Sequence, residues 1–306
     1  MAIKENDEIL IREKDQNIQN ILKRYSYYVE QAVNYGTHIL LWPYKEDRPE
    51  LNVIKLYLRY FLDMLDAVSV LIKAGSAEPA KSLLRSAFEI NLSIHFIYDK
   101  NTSLRADAFW VVEKINQLKE LEKMNPKGKA YKQAKNNFSK ESIINFGSGI
   151  NGKNIRAQIK EVEEYLKSPE LQSAVDEYNR IKQGKSGKIY WYNLFDGVDS
   201  IESMARVLNK YTFYEILYRH WSKAVHGNNI MKDKIYFDRD GNSYLVPLRH
   251  PVHLAWTAKM ACNLAINTFG YYVQRSYPER IEEYNNWQAE FTGDYEIDLG
   301  HEYITG

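Results

Sequence analysis

From Leu51 to Tyr98 the chain admits one kind of structure. Ile54, Leu58, Phe61, Leu65 and Val68, then Leu83, Leu84, Ala87, Phe88, Ile90, Ile94 and Ile97, recur at short intervals dominated by three and four. At 3.6 residues per turn that spacing lines them along one stripe of a helix. Gly75, Ser76 and Pro79 divide the run into two helices, about 51–74 and 76–99. A β-strand would need alternation, and neither half has it. Arg59, Asp63, Asp66 and Lys73 interrupt the longest apolar run, so it is not a membrane span.

The same period continues outside this pair. Ile11, Ile18, Leu22, Tyr25, Val29 and Ala32 predict a long amphipathic helix over 6–35, and Trp42 to Pro49 reads as a break. Asp199 with Glu202 forms a capping-box pattern for a short helix to about Asn209, and a further helix is expected over 212–226. Lys234–Asp238 and Ser243–Val246 flank Arg239-Asp240-Gly241-Asn242, a hairpin signal. The last core helix is expected over 252–274 through Trp256, Met260, Leu264, Phe269 and Val273. The fold class that follows is all-α: four main helices over 51–74, 76–99, 212–226 and 252–274, with a helical insertion and one small β-hairpin. The expected divisions are 1–50, a long helix and connector; 51–275, the bundle; and 276–306, an acidic tail with eight acidic residues and one Arg.

The insertion, about 109–188, carries the basic charge. Residues 111–190 hold sixteen Lys and Arg against ten Asp and Glu, whereas the whole chain is only +1. A balance so near neutral excludes global attraction to nucleic acid, so any RNA contact must be local. Lysines there either supply phosphate contacts or coat solvated helices. Within it, Gly147 to Asn154 matches the letters of a Gly-x-x-x-x-Gly-Lys loop, but Asn154 replaces the hydroxyl that would hold magnesium and no parallel strand precedes it. A connection between helices fits better, and a nucleotide hydrolase using Lys153 is the weakest reading. The aromatic stretch Ile189 to Gly197 is expected to cover the bundle core. Cys262, the single cysteine, excludes an internal disulfide and fits a reducing cytoplasm; the N-terminus has no apolar signal region, so a cytoplasmic location without membrane attachment is expected.

Groups suited to phosphate chemistry gather in one stretch, Tyr218-Arg219-His220-Trp221-Ser222-Lys223-Ala224-Val225-His226-Gly227-Asn228. On an α-helix Arg219 and His226, seven apart, lie nearly on one line about 10 Å apart in rise. A guanidinium grips phosphate oxygens in a fork, and an imidazole exchanges protons near neutral pH. A helix end explains the same letters differently: Gly227 as the C-cap, with Lys223 and His226 beside the last carbonyls and Glu215 pairing with Arg219. On helix three, Ser82, Arg85, Ser86, Glu89 and Ser93 form a narrow polar stripe, read either as an Arg85–Glu89 pair or as support for the Arg219 face. His95 is expected to be a satisfied, partly buried histidine. His250 and His253 lack further ligands, so no metal site is expected.

The stretch resembles the signature of the HEPN superfamily of RNA-cleaving and nucleotide-binding helical domains: Arg219, a polar His220, then His226 after six intervening positions. Ser82 to Glu89 is similar to the helix that accompanies such an ending in bacterial branches, and the resemblance covers about 51–275. It implies a metal-independent endoribonuclease without cofactor, in which His226 acts as base on the 2′-hydroxyl or acid on the leaving oxygen. Arg219 would neutralise the phosphate, with His220, Ser222, Lys223, Asn228, Arg85 and Glu89 assisting. It further implies a symmetric homodimer, tRNA or mRNA as substrate, and a toxin or antiviral role under a regulatory protein partner. Asn228 stands where relatives controlled by tyrosine modification carry Tyr, so that control is not expected. The alternative is a non-catalytic module of the same fold that binds nucleotide, RNA or a protein.

Overall fold

The computed structural model describes residues 9–10, 15–44, 48–140, 151–184, 186–219, 221, 234–237, 239–251 and 253–299. They are organised as two compact units, one from Met1–Lys100 with Ser200–Gly306 and one from Asn101–Asp199. The architecture is all-α apart from one hairpin.

In the first unit four long helices form the core: α1 (Gln16–Leu40), α2 (Glu50–Lys73), α3 (Ala77–Asp99) and, late in the chain, Leu254–Ser276. They close a ring in which α1 packs on α2, α2 on α3, α3 on Leu254–Ser276, and that helix back on α1. The apolar stripe of α2 lands where its period predicted, with Ile54, Leu58, Phe61, Leu65 and Val68 all fully buried. Each such side chain contributes about 1.5–3 kcal/mol relative to exposure. Gly75 takes φ 76°, the left-handed conformation that ends α2, and Ser76 N–H reaches back to Leu71 at 2.8 Å.

Two expectations change here. The N-terminal helix begins at Gln16, where the Asp15 carboxylate accepts from Asn17 N–H, rather than near residue 6; Ile9 and Leu10 lie outside it. It also runs past 35 to Leu40 and joins the ring; of the helix expected over 212–226, residues 220 and 222–226 lie outside the described residues. Gly36 makes that possible: a Cβ there would stand 2.3 Å from Leu62 and 2.6 Å from Phe269.

The second unit starts earlier than the lysine-rich texture suggested. Its helices are α4 (Thr102–Met124), α5 (Lys129–Lys140), α6 (Gly152–Tyr165) and α7 (Gln172–Gly184). Asn101 caps α4, accepting from Leu104 N–H at 3.2 Å. α4 packs on the other three. Ile189, Trp191 and Leu194 are buried, and Trp191 meets Phe109 edge-on at 6.5 Å. The aromatic stretch thus belongs to this unit's own core rather than covering the bundle. Of the glycine-rich loop, 147–150 lie outside the described residues; Asn151 caps α6 by accepting from Lys153 and Asn154 N–H, so Lys153 stands in a helix's first turn.

Back in the first unit come α8 (Ile201–Val207) and the three-residue α9 (Tyr211–Phe213), which continues as a π-helical stretch, Tyr214–Arg219. Ser200, not Asp199, caps α8, its Oγ accepting from Ser203 N–H at 3.1 Å. The hairpin pairs β1 (Ile235–Phe237) with β2 (Ser243–Leu245) in antiparallel register, Tyr236 opposite Tyr244. The late core helix, α10 (Leu254–Ser276), starts after His253, and Trp256 is 38% exposed rather than inward. The expected tail contains α11 (Ile281–Leu299), which returns to the bundle. Tyr284 and Phe291 are buried, and Trp287 lies flat on Tyr35, centroids 3.9 Å apart. Among the described residues no helix is long and apolar enough to cross a membrane.

Candidate functional site

Tyr211, Tyr214 and Tyr218 are spaced so that α9 and the π-helical stretch bring their rings into one ladder. Tyr211 stacks on Tyr214 at 5.8 Å and 20°, and Tyr214 on Tyr218 at 5.0 Å and 18°. A guanidinium closes each end. Arg206 lies 3.6 Å from the Tyr211 centroid, and Arg85, from α3, lies 4.0 Å from that of Tyr218. Each arginine also has a carboxylate on its own helix: Arg206 with Glu202 at 2.8 Å and Arg85 with Glu89 at 3.2 Å. On the polar stripe of α3, Arg85 thus pairs with Glu89 and also touches Tyr218, next to Arg219 in the chain. Ser82, Ser86 and Ser93 return their hydroxyls to carbonyls of α3 itself.

Arg219 ends the π-helical stretch. Its Nη1 donates to Glu215 Oε1 at 2.9 Å, and its side chain is 60% exposed. Hydrogen bonds from Tyr211 and then from Arg219 hold the Glu215 carboxyl below its ordinary range, while the bond to Glu215 pushes the guanidinium up. Burial raises Glu89, and Arg85 beside it opposes that shift. The π-helical winding alters the spacing argument: 3.6 residues per turn does not apply through Tyr214–Arg219, since bonding to the fifth residue widens each turn. Trp221 is buried and meets Trp256 edge-on at 5.2 Å. His220, Ser222, Lys223, His226 and Asn228 lie outside the described residues, as does Gly227.

The first unit also holds a polar cluster, buried at Asn91, His95 and Thr268 and exposed at Asn267, that the pattern of the chain did not point to. Lys210, one residue before α9, donates to Asn267 Oδ1 at 2.7 Å. Asn91 donates to the same oxygen at 3.1 Å and to Thr268 Oγ1 at 2.8 Å. His95, one turn along α3 from Asn91, lies flat on Tyr271 at 3.8 Å. Burial, followed by the nearby Lys210 charge, lowers the imidazole to about 3 against a hydrogen bond with Asn267; burial lowers Lys210 to about 8. His95 Nε2 and Asn91 Oδ1 have no hydrogen-bond partner among the described residues, so His95 is only half satisfied. Asn91 and Asn267 would have been the signal, as amides among apolar neighbours on two core helices.

Among the described residues no three His, Cys, Asp or Glu side chains converge in a way that could hold a metal ion. Cys262 is fully buried in the α10 core, which pushes its thiol up. The Arg219 face can therefore offer a guanidinium fork and a tyrosine wall.

A model of the family of unknown function DUF5677 matches residues 51–244, more than half the chain, so the chain belongs to that family. No curated protein matches it, and no solved structure does.

Proposed function

We propose that this member of the DUF5677 family is a cytoplasmic, metal-independent endoribonuclease whose Arg219 and His226 act on one phosphodiester. The observation that supports this reading is the state of Arg219: exposed, with Nη1 donating to Glu215. Its Nε and Nη2 make no hydrogen bond to a described residue, so that edge of the fork is open to two phosphate oxygens. In the reaction the substrate's own 2′-oxygen attacks phosphorus and its proton passes to His226. The bond to the 5′-oxygen breaks, that oxygen takes a proton from water, and a 2′,3′-cyclic phosphate remains, while His226 returns its proton to solvent. Arg219 offsets the charge that develops on the phosphoryl oxygens. His220, Ser222, Lys223 and Asn228 flank the pair in sequence. Arg85 and Glu89 act as positioning residues through Tyr218. A homodimer would bring a second copy of the motif to the cleft.

A second reading, a non-catalytic RNA- or nucleotide-binding module, is favoured by the Glu215 contact, because a carboxylate already answers the charge of Arg219. The two separate in one experiment: purified protein with total RNA and tRNA in EDTA, beside Arg219→Ala and His226→Ala. Cyclic-phosphate ends that vanish in both variants support the nuclease. Equal cleavage by the variants removes the assignment of this site, and no cleavage by folded protein favours the binding module.

A further inference from the structure

The second unit carries an open groove of about 450 Å³ between α4, α5 and the segment after α7, lined by Asn116, Lys119, Glu120, Glu122, Lys123 and Lys188 among others. From Asn116 to Lys135 six lysines stand against two glutamates, and α5 over Lys129–Lys140 contains no acid at all. One of the two glutamates is already answered, since Lys123 donates to Glu120 at 2.7 Å. Lys119 donates to the buried Tyr178 hydroxyl at 3.2 Å, which fixes an ammonium at the wall with donors to spare.

An aromatic pair adjoins the cations. Tyr190 lies flat on Tyr192 at 5.1 Å and 3° and is 40% exposed. Lys188, which lines the groove, stands 5.0 Å from the Tyr190 centroid. A groove lined by Lys119, Lys123 and Lys188 against Glu120 and Glu122, with an exposed ring beside it, has the two parts that hold a single strand: ammonium groups for the backbone and an aromatic ring for a base. An acidic peptide would use the lysines and leave the ring without purpose. A duplex hides the faces of its bases.

We infer that this groove binds single-stranded RNA, with its lining Lys119, Lys123 and Lys188 on the phosphates and Tyr190 against a base. The choice of RNA over DNA rests on the nuclease reading; the single-strand chemistry rests on the groove. The site is separate from the Arg219 motif in sequence and belongs to a different unit.

The test uses the full chain carrying Arg219→Ala and His226→Ala, so that no strand is cut, and follows the anisotropy of a fluorescein-labelled uridine 12-mer in EDTA over a series of salt concentrations. Adding Lys119→Ala, Lys123→Ala and Lys188→Ala should weaken binding at least tenfold at 100 mM salt and reduce the salt slope by about 2, at roughly 0.7 per phosphate contact. Tyr190→Ala should weaken it about fivefold or more at unchanged slope. Removing three exposed lysines elsewhere in the unit, Lys160, Lys167 and Lys182, should change affinity less than threefold. Equal losses from the two lysine triples, no loss from the groove triple in protein with unaltered circular dichroism, or no binding by the parent would each overturn the groove. A polyglutamate peptide bound as tightly as RNA would overturn the single-strand claim. Failure of the nuclease reading shows elsewhere, as absent cleavage by the unmutated chain with groove-dependent binding intact.

Discussion

His95 shows what a single buried ring costs. Its imidazole is lowered to about 3, far below the ordinary 6.5, because charging it would require an ion in the space between α3 and α10. Between those values the unfolded chain binds a proton that the folded chain does not, so stability rises with pH through that window and is complete above it. The slope is at most about 1.4 kcal/mol per pH unit for one proton. Urea denaturation at pH 4, 5 and 7 should show His95→Phe gaining on the parent as pH falls, and parallel pH curves would refute this. Tyr218 allows a second test. Tyr218→Leu should destabilise by about 1–2 kcal/mol through loss of the Arg85 contact and the Tyr214 stack, whereas Tyr218→Phe should retain most of both; equal midpoints for parent and Leu variant would mean the ladder contributes nothing. The sequence made half of this site readable. Arg85 and Glu89 are four apart on a helix, a spacing that announces a pair, but Tyr218 meets Arg85 only through the fold, and no local pattern encodes that.

At the scale of elements, period was a reliable guide wherever one helix faced one core. α2 and α3 fall within a residue or two of expectation because their apolar stripes face a core and their ends carry Gly75 and Ser76. α1 differs from expectation at both ends, starting at Gln16 and running to Leu40, because the period of its stripe fixes its face and not its limits, and Gly36 lies within it. The glycine is a contact point where α1 passes closest to α2 and α10. Gly36→Ala should therefore cost about 1–3 kcal/mol despite alanine's better helix propensity, because Leu62 and Phe269 must yield to the new methyl. A denaturation midpoint equal to or above the parent's would show that the core relaxes around it. The π-helical winding at Tyr214–Arg219 had no comparable signal, since a change of turn width leaves the residue types unchanged. That is why the Arg219 to His226 geometry could not be fixed by counting residues.

At the scale of the whole molecule, the chain leaves one folded unit at Lys100 and re-enters it at Ser200, having built a second core from Val112, Val162, Tyr178, Trp191 and Leu194, all buried. The change in composition, taken at about 109–188, lies inside this unit, Asn101–Asp199; the texture reports charge, whereas the division follows packing. If each core holds its own unit, damage to one should stay there. Gly197 provides the probe: a Cβ would stand 2.0 Å from the Tyr192 carbonyl oxygen, a backbone atom that cannot step aside as a side chain can. Gly197→Ala should therefore loosen the turn at Trp191–Asn193 and the α4 and α7 surfaces packed around it. Native-state hydrogen exchange should then quicken for amides of α4 and α7 by tenfold or more, about 1.4 kcal/mol of lost protection, while those of α2 and α10 keep the parent's rates. Faster exchange in α2 and α10 to the same degree would mean that the two cores open as one cooperative body, and the functional division between a basic unit and a motif-bearing unit would then have no energetic counterpart.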